Sequence, residues 1–449
     1  MLYARALEHG FHVDFDLVDQ RPHAPGYILY VATAALVRTA TGDSNAALVL
    51  VSMVAGAAAA AALYLFAQRF ASRGAALAAA AAFAASPLVW TYGEVAYPYT
   101  VLALGSIVLA ALLHRARHGT SHDAVAATAA LGLAAGFRQD LVLVVGALWL
   151  WALAAHPWRV RVVASAAGLV AALAWLVPTA ALSDGAEAYL FALTQQASTI
   201  TAAYSPQSAG VPALATNLGT TVYALAWTLC AAAAPLALGL GLSARSSGAP
   251  PIRSLALWAL PPLAFYLLVH IGEWGYVLSV APALYIGVAM ALDRIAGALP
   301  HPRMATGALG GATVLAGAVV FAVSPAPFSA AATRAHDDEL AARVAYVRAH
   351  LDPRHVAVLA REDYLVVRYY LPEYRSLFHD PFPFANAPRH KRVGSMAALV
   401  VFTNGLAPAK GTEVRYIECA KGVKLAYVPL PPGAMLEFYG EQFAIREPQ

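Results

Sequence analysis

"AALVLVSMVAGAAAAAALYLFAQRFASR", residues 46–73, decides the class of the fold. Residues 46–68 carry no charge, and two arginines, Arg69 and Arg73, follow at once. An uncharged apolar run of this length crosses the hydrocarbon core of a bilayer as a helix, which needs roughly 20 residues. Its alanines favour helix and close packing rather than a low-complexity tract. The pattern recurs along the 449 residues, which are 60% hydrophobic and 12% charged, with mean hydropathy +0.60. A soluble domain carries about 25% charged residues. The expected fold is therefore an α-helical polytopic membrane protein, with about ten spans and a C-terminal extracytoplasmic α/β domain. The spans fall near 46–68, 75–90, 98–113, 124–136, 139–155, 162–182, 219–241, 254–271, 276–293 and 304–324.

The arginines set the expected orientation. Arg69 and Arg73, Arg115 and Arg117, Arg159 and Arg161, Arg245 and Arg253, and Arg294 and Arg303 follow alternate spans. The opposite loops, 91–97, 183–218 and 272–275, hold no Lys or Arg. The positive-inside rule makes the arginine loops cytoplasmic and turns the other loops, with everything after residue 325, outward. The net charge of +4 is thus a topology signal, and no nucleic-acid partner is expected. Cys230 and Cys419 lie far apart and suggest neither a disulfide framework nor a metal cluster.

Three regions are expected: an outer loop with an interfacial helix over 1–45, a transmembrane domain over 46–325, and an extracytoplasmic domain over 326–449. The polar "LVDQRPHAPGYILYV", residues 17–31, leads into the interfacial stretch 26–40, with Pro25 near the helix start, where it costs no hydrogen bond. An outward N-terminus with no preceding span suggests a first helix upstream of Met1. In the tail, "ELAARVAYVRAHL" has helical spacing, and "EDYLVVRYYLPEY" reads as a helix closed by Pro372. "HVAVLA", "AALVVFTN" and "VKLAYVPL" read as strands, and Pro381, Pro383 and Pro388 mark a long loop. "HDDE", 336–339, reads as an exposed helix start.

Ionisable groups beside spans are costly and become functional candidates. The outward face supplies Asp14, Asp16, Asp19, Arg21 and His23 from the leading segment. It supplies Glu94 and Tyr97 from "SPLVWTYGEVAYPYT", Arg138 from "GFRQD", and Glu273 and Tyr276 from "HIGEWGY". Simpler roles stand beside these. Glu94 suits a helix N-terminus, Glu273 with Trp274 and Tyr276 suits an interfacial belt, and Asp14 with Asp16 suits a solvated loop.

"YARALEHGFHVDFDLVDQRPHAPGYILYV", "SPLVWTYGEVAYPYTVLALGSI", "GFRQD" and "HIGEWGYVLSVAPAL" together resemble the integral-membrane C-type glycosyltransferases. These include protein O-mannosyltransferases and lipid A aminoarabinose transferases. The resemblance covers about residues 1–325. "RPHAPGY" is similar to the family's His-Pro-Pro type motif, with Ala24 inside it. The resemblance implies a sugar held on a polyprenyl phosphate in the outer leaflet of the plasma or inner membrane. An envelope lipid, glycan or protein acceptor attacks it in one inverting displacement, with a first-loop carboxylate as general base. Cationic groups and, in some members, a divalent metal stabilise the leaving phosphate. In the family the key Asp precedes a stretch like "LYARALEHG", a position that falls before Met1 here. Asp14, Asp16, Asp19 and Glu94 are then the catalytic candidates, and Arg21, His23, Tyr97, Arg138, Glu273 and Tyr276 the substrate-binding ones. Membrane lipids are expected partners. Two rival classes remain, a lipid or solute transporter and a non-catalytic envelope scaffold.

Overall fold

The computed structural model describes residues 2–15, 22, 24–243, 252–325, 327–361, 363–379, 390–403, 406–439 and 442–446. They form two compact units, one built on the described residues between 3 and 331 and the other on those from 332 onward.

The first unit is helical, as a multi-pass membrane protein requires. Among the described residues, five helices are long and apolar enough to cross a membrane: Ser44–Ala67, Tyr99–His118, Trp158–Ala181, Pro206–Gly239 and Pro302–Val323. Arg73–Ala84 and Pro87–Gly93 make a sixth if counted as one span bent by 57°. The other expected spans are shorter. Ser121–Ala134 and Asp140–Leu153 have 14 residues each, and 276–293 divides into a 3-10 turn, Trp274–Ser279, and the helix Ala281–Gly297. The outer loop expected over 183–218 is instead helical, as Ala186–Tyr204 and the start of Pro206–Leu229. The interfacial stretch forms the helix Ile28–Thr41, with Leu36 at its surface 72% exposed.

Local chemistry fixes the helix ends. Asp43 accepts Ala46 N–H at 2.6 Å, and Thr120 with Asp123 closes a capping box on Ser121–Ala134. The Asp293 carboxylate takes both the N–H and the hydroxyl of Ser72 at 2.5 Å, tying the start of Arg73–Ala84 to the last turns of Ala281–Gly297. Small residues set the crossing of Ser121–Ala134 and Trp158–Ala181. A Cβ on Gly132 would lie 2.1 Å from Gly168 O, so the backbones touch. At the 57° elbow, Ser86 donates to Thr228 O at 2.7 Å, and the Tyr285 hydroxyl reaches Thr228 O at 2.8 Å and Ala82 O at 3.4 Å. These bonds keep the polar groups at the break paired.

The second unit opens with the helix Ala330–His350, and "HDDE" lies within that helix rather than at its start. Its strands are β1 Val356–Ala360, β2 Arg375–Phe378, β3 His390–Arg392, β4 Ala398–Val401, β5 Ala407–Pro408, β6 Arg415–Ala420, β7 Val423–Pro429, β8 Met435–Tyr439 and β9 Gln442–Arg446. A five-stranded sheet runs β2-β1-β4-β7-β6, parallel across β2, β1 and β4 and antiparallel beyond. A second sheet runs β3-β8-β9-β5. Strand period two divides the core. Val358, Ala360 and Val400 pack with Val347 and Val367 of the helices, whereas Ala357, Leu359 and Leu399 pack with Leu436 and Phe443 of the second sheet. "HVAVLA", "AALVVFTN" and "VKLAYVPL" hold β1, β4 and β7. The long loop around Pro381, Pro383 and Pro388 lies outside the described residues.

Candidate functional site

The turn "GFRQD" carries the centre of the site. Helix Ser121–Ala134 ends just before Gly136, whose Cβ would lie 2.7 Å from both Leu29 and Trp175 side-chain atoms. Only glycine lets the chain pass there, and Leu29 N–H binds Gly136 O at 3.1 Å, docking the helix Ile28–Thr41 on the turn. Asp140 opens the next helix, where the N-terminal dipole favours an acid.

Arg138 is 2% exposed. Its Nε and Nη2 donate to the two Asp140 oxygens at 3.0 and 2.8 Å, a bidentate fork. Three tyrosine rings surround the guanidinium, at 4.9 Å (Tyr27), 4.5 Å (Tyr99) and 5.3 Å (Tyr276). The rings come from three elements: the turn before Ile28–Thr41, the first residue of Tyr99–His118, and the 3-10 turn Trp274–Ser279. Tyr276 is held in turn by the Tyr266 hydroxyl, which donates to its carbonyl at 3.0 Å. Gly275 allows the close approach of the 3-10 turn, since a Cβ there would lie 2.4 Å from Tyr99 Cγ.

Glu273 stands at the edge of this cluster, with the Tyr92 hydroxyl donating to Oε2 at 3.5 Å. The protein packed around it raises the Glu273 pKa above the ordinary carboxylate value, and the Tyr92 hydrogen bond partly opposes that. Tyr97 is 45% exposed beside Tyr99, with ring centroids 5.8 Å apart. Two buried groups beside this cluster lack hydrogen-bond partners among the described residues. Both amide atoms of Gln139, between Arg138 and Asp140, are in that state, and so is His270 Nδ1, whose ring lies 6.4 Å from Tyr276. Such orphans are uncommon in a finished core.

The fold thus brings Tyr97, Arg138, Glu273 and Tyr276 together. Glu94 lies exposed at the end of the short helix Pro87–Gly93, three residues before Tyr97. Asp14 is placed elsewhere. Its Oδ1 accepts Phe15 N–H at 2.6 Å, and its segment packs on the turn after Trp158–Ala181, through Val13 N–H to Ser183 Oγ at 3.0 Å and His12 to Asp184 at 3.7 Å. The two places are joined by residues 25–27, since Tyr189 donates to Pro25 O at 3.2 Å while Tyr27 faces Arg138. Asp16, Asp19, Arg21 and His23 lie outside the described residues. Asp140 stands with Arg138 among the ionisable groups of the outward face in the sequence, whereas sequence reasoning missed Tyr27, Tyr92, Tyr99 and Gln139 as members of the site. The tyrosine density of "YGEVAYPYT" was the available signal. Among the described residues no three His, Cys, Asp or Glu side chains converge as metal ligands do.

A family model described as dolichyl-phosphate-mannose-protein mannosyltransferase matches residues 22–182. No curated protein matches the chain in sequence. Among solved structures, ArnT from Cupriavidus metallidurans in the apo state aligns with TM-score 0.60 and 13% identity, over 95% of this chain and 91% of that one. The same protein bound to undecaprenyl phosphate aligns with TM-score 0.60 and 13% identity, over 95% and 92%. At this identity the likeness is one of fold.

Proposed function

We propose, for a chain whose residues 22–182 match a mannosyltransferase family model and whose fold is similar to that of ArnT, that it is an integral-membrane glycosyltransferase that moves a sugar from a polyprenyl-phosphate donor to an envelope acceptor. The observation that carries this reading is the cluster in which Tyr27, Tyr99 and Tyr276 face the buried Arg138–Asp140 pair while Glu273 and the part-exposed Tyr97 stand at its edge. The tyrosines suit a sugar, with apolar faces for its C–H groups and hydroxyls for its oxygens. That ArnT binds undecaprenyl phosphate supports a polyprenyl-phosphate donor.

In this reading the acceptor hydroxyl attacks the anomeric carbon in one inverting displacement, breaking the bond from that carbon to the phosphate oxygen and releasing the polyprenyl phosphate. Glu273, its pKa raised, takes the acceptor proton, oriented by Tyr92. Arg138, buried and already forked to Asp140, positions the tyrosine wall rather than projecting to the donor. The acceptor is an envelope lipid, glycan or protein. The arginine pattern supports a plasma or inner membrane setting, with this cluster and the C-terminal unit outside the cytoplasm.

The test uses membranes containing the full chain and labelled polyprenyl-phosphate sugars, with new glycosidic product as readout. Tyr97→Leu, which removes the ring and hydroxyl of the part-exposed tyrosine, should lower transfer roughly tenfold, the scale of one lost hydrogen bond. Transfer no greater than in membranes lacking the protein, across a panel of such sugars, would remove the proposal.

A further inference from the structure

The 3-10 turn Trp274–Ser279, which follows Glu273 directly, is gripped at both ends. At its far end the Tyr266 hydroxyl donates to Tyr276 O at 3.0 Å and lies 2.7 Å from Ser279 Oγ. At its near end Trp274 meets Phe328 edge to face, with ring centroids 4.8 Å apart and planes at 88°. Phe328 comes from the segment that follows the helix Pro302–Val323.

Phe328 is itself firmly seated. It is 7% exposed, and its ring lies 5.8 Å from Trp227 and 6.2 Å from Tyr223. Those two stand four residues apart and so share one face of Pro206–Leu229. The Phe328 φ is 62°, in the left-handed region, which a bulky side chain occupies only where its surroundings hold it there. The three rings supply that hold, since edge-to-face aromatic contacts add to simple burial. Glu273, by contrast, is little restrained. It is exposed, and among the described residues the hydrogen bond on its carboxylate is the long one from Tyr92, at 3.5 Å. Where the carboxylate stands therefore follows from the backbone that Trp274 anchors.

We propose that Phe328 is a positioning residue for Glu273, acting through Trp274. Its effect on catalysis rests on the reading of Glu273 as the proton acceptor. A phenylalanine that merely fills a gap would contribute to stability and leave the order of position 273 unchanged.

The experiment uses the full chain in detergent, with Cys230 and Cys419 replaced by Ser and a nitroxide attached at Glu273→Cys. The label should be ordered when Phe328 is present, mobile in Phe328→Ala, and ordered again in Phe328→Tyr, which keeps the ring. With Glu273 intact, Phe328→Ala should lower kcat for sugar transfer roughly tenfold at unchanged KM for the donor, as expected when a reacting group is displaced. Phe328→Tyr should restore it. Phe328→Leu, which keeps apolar bulk without the ring, should act as Phe328→Ala does and serves if that variant fails to fold. A label equally ordered in a folded Phe328→Ala or Phe328→Leu variant, or kcat unchanged there when wild type transfers sugar, would overturn the proposal. A label freed by Phe328→Ala in a chain that transfers no sugar would uphold the anchoring of position 273 and remove the glycosyl-transfer reading instead.

Discussion

Glu273 gives the molecule a pH dependence whose sign follows from its surroundings. Glu273 keeps an exposed surface, and the protein packed against it raises its pKa only against that solvent screening, so between the ordinary glutamate value and the raised one the folded chain holds a proton that the unfolded chain releases, a small effect. Its contribution to stability is therefore greatest on the acid side and falls as pH rises through that window. Transfer should move the other way, rising with pH as the carboxylate form becomes available. Glu273→Gln should abolish that rising limb in a pH–rate profile while leaving the protein folded. Asp140→Ala poses a different case, because it leaves the 2% exposed Arg138 guanidinium without its fork. Losing one partner of a buried pair costs about 3–5 kcal/mol, to be seen as a lower thermal midpoint in detergent. Arg138 could be singled out in sequence as a lone cation on the outward face. Its burial could not, because that follows from three tyrosines whose elements are far apart along the chain.

At the scale of elements, glycines decide how closely parts approach. Gly275→Ala would put a Cβ 2.4 Å from Tyr99 Cγ and push that ring off Arg138. Transfer should fall severalfold or more, while far-ultraviolet circular dichroism stays unchanged. Gly132→Leu would force apart Ser121–Ala134 and Trp158–Ala181, whose backbones meet at Gly168. Overpacking of this kind costs about 1–3 kcal/mol and more where backbone is struck, measurable as a drop in thermal midpoint. The long helices were legible because an uncharged run such as 46–68 permits little else in lipid. The short helices Ser121–Ala134 and Asp140–Leu153 lay where 124–136 and 139–155 were expected, yet their 14-residue lengths were not legible. Composition alone does not say where an apolar run stops being helix. The helix Ala186–Tyr204 was hidden by its polar "TQQASTIT", read as loop.

At the scale of the whole chain, the described residues from 332 onward have their own core on both faces of a sheet. A fragment starting at Ala332 should fold alone, with mixed helix and strand circular dichroism and a cooperative melt. Its β1, β4 and β7 were legible as apolar or alternating runs, whereas β6, β8 and β9 were not, since exposed residues such as Tyr416 interrupt their pattern. In the helical unit, the elbow between Arg73–Ala84 and Pro87–Gly93 has a further consequence. Hydroxyls from Ser86 and Tyr285 hold it fixed, and the short arm beyond it carries Tyr92, which touches Glu273. A corner held in this way would pass a change in bilayer thickness along the arm to Glu273, so transfer should vary with the acyl length of the host lipids, measured across vesicles of graded chain length.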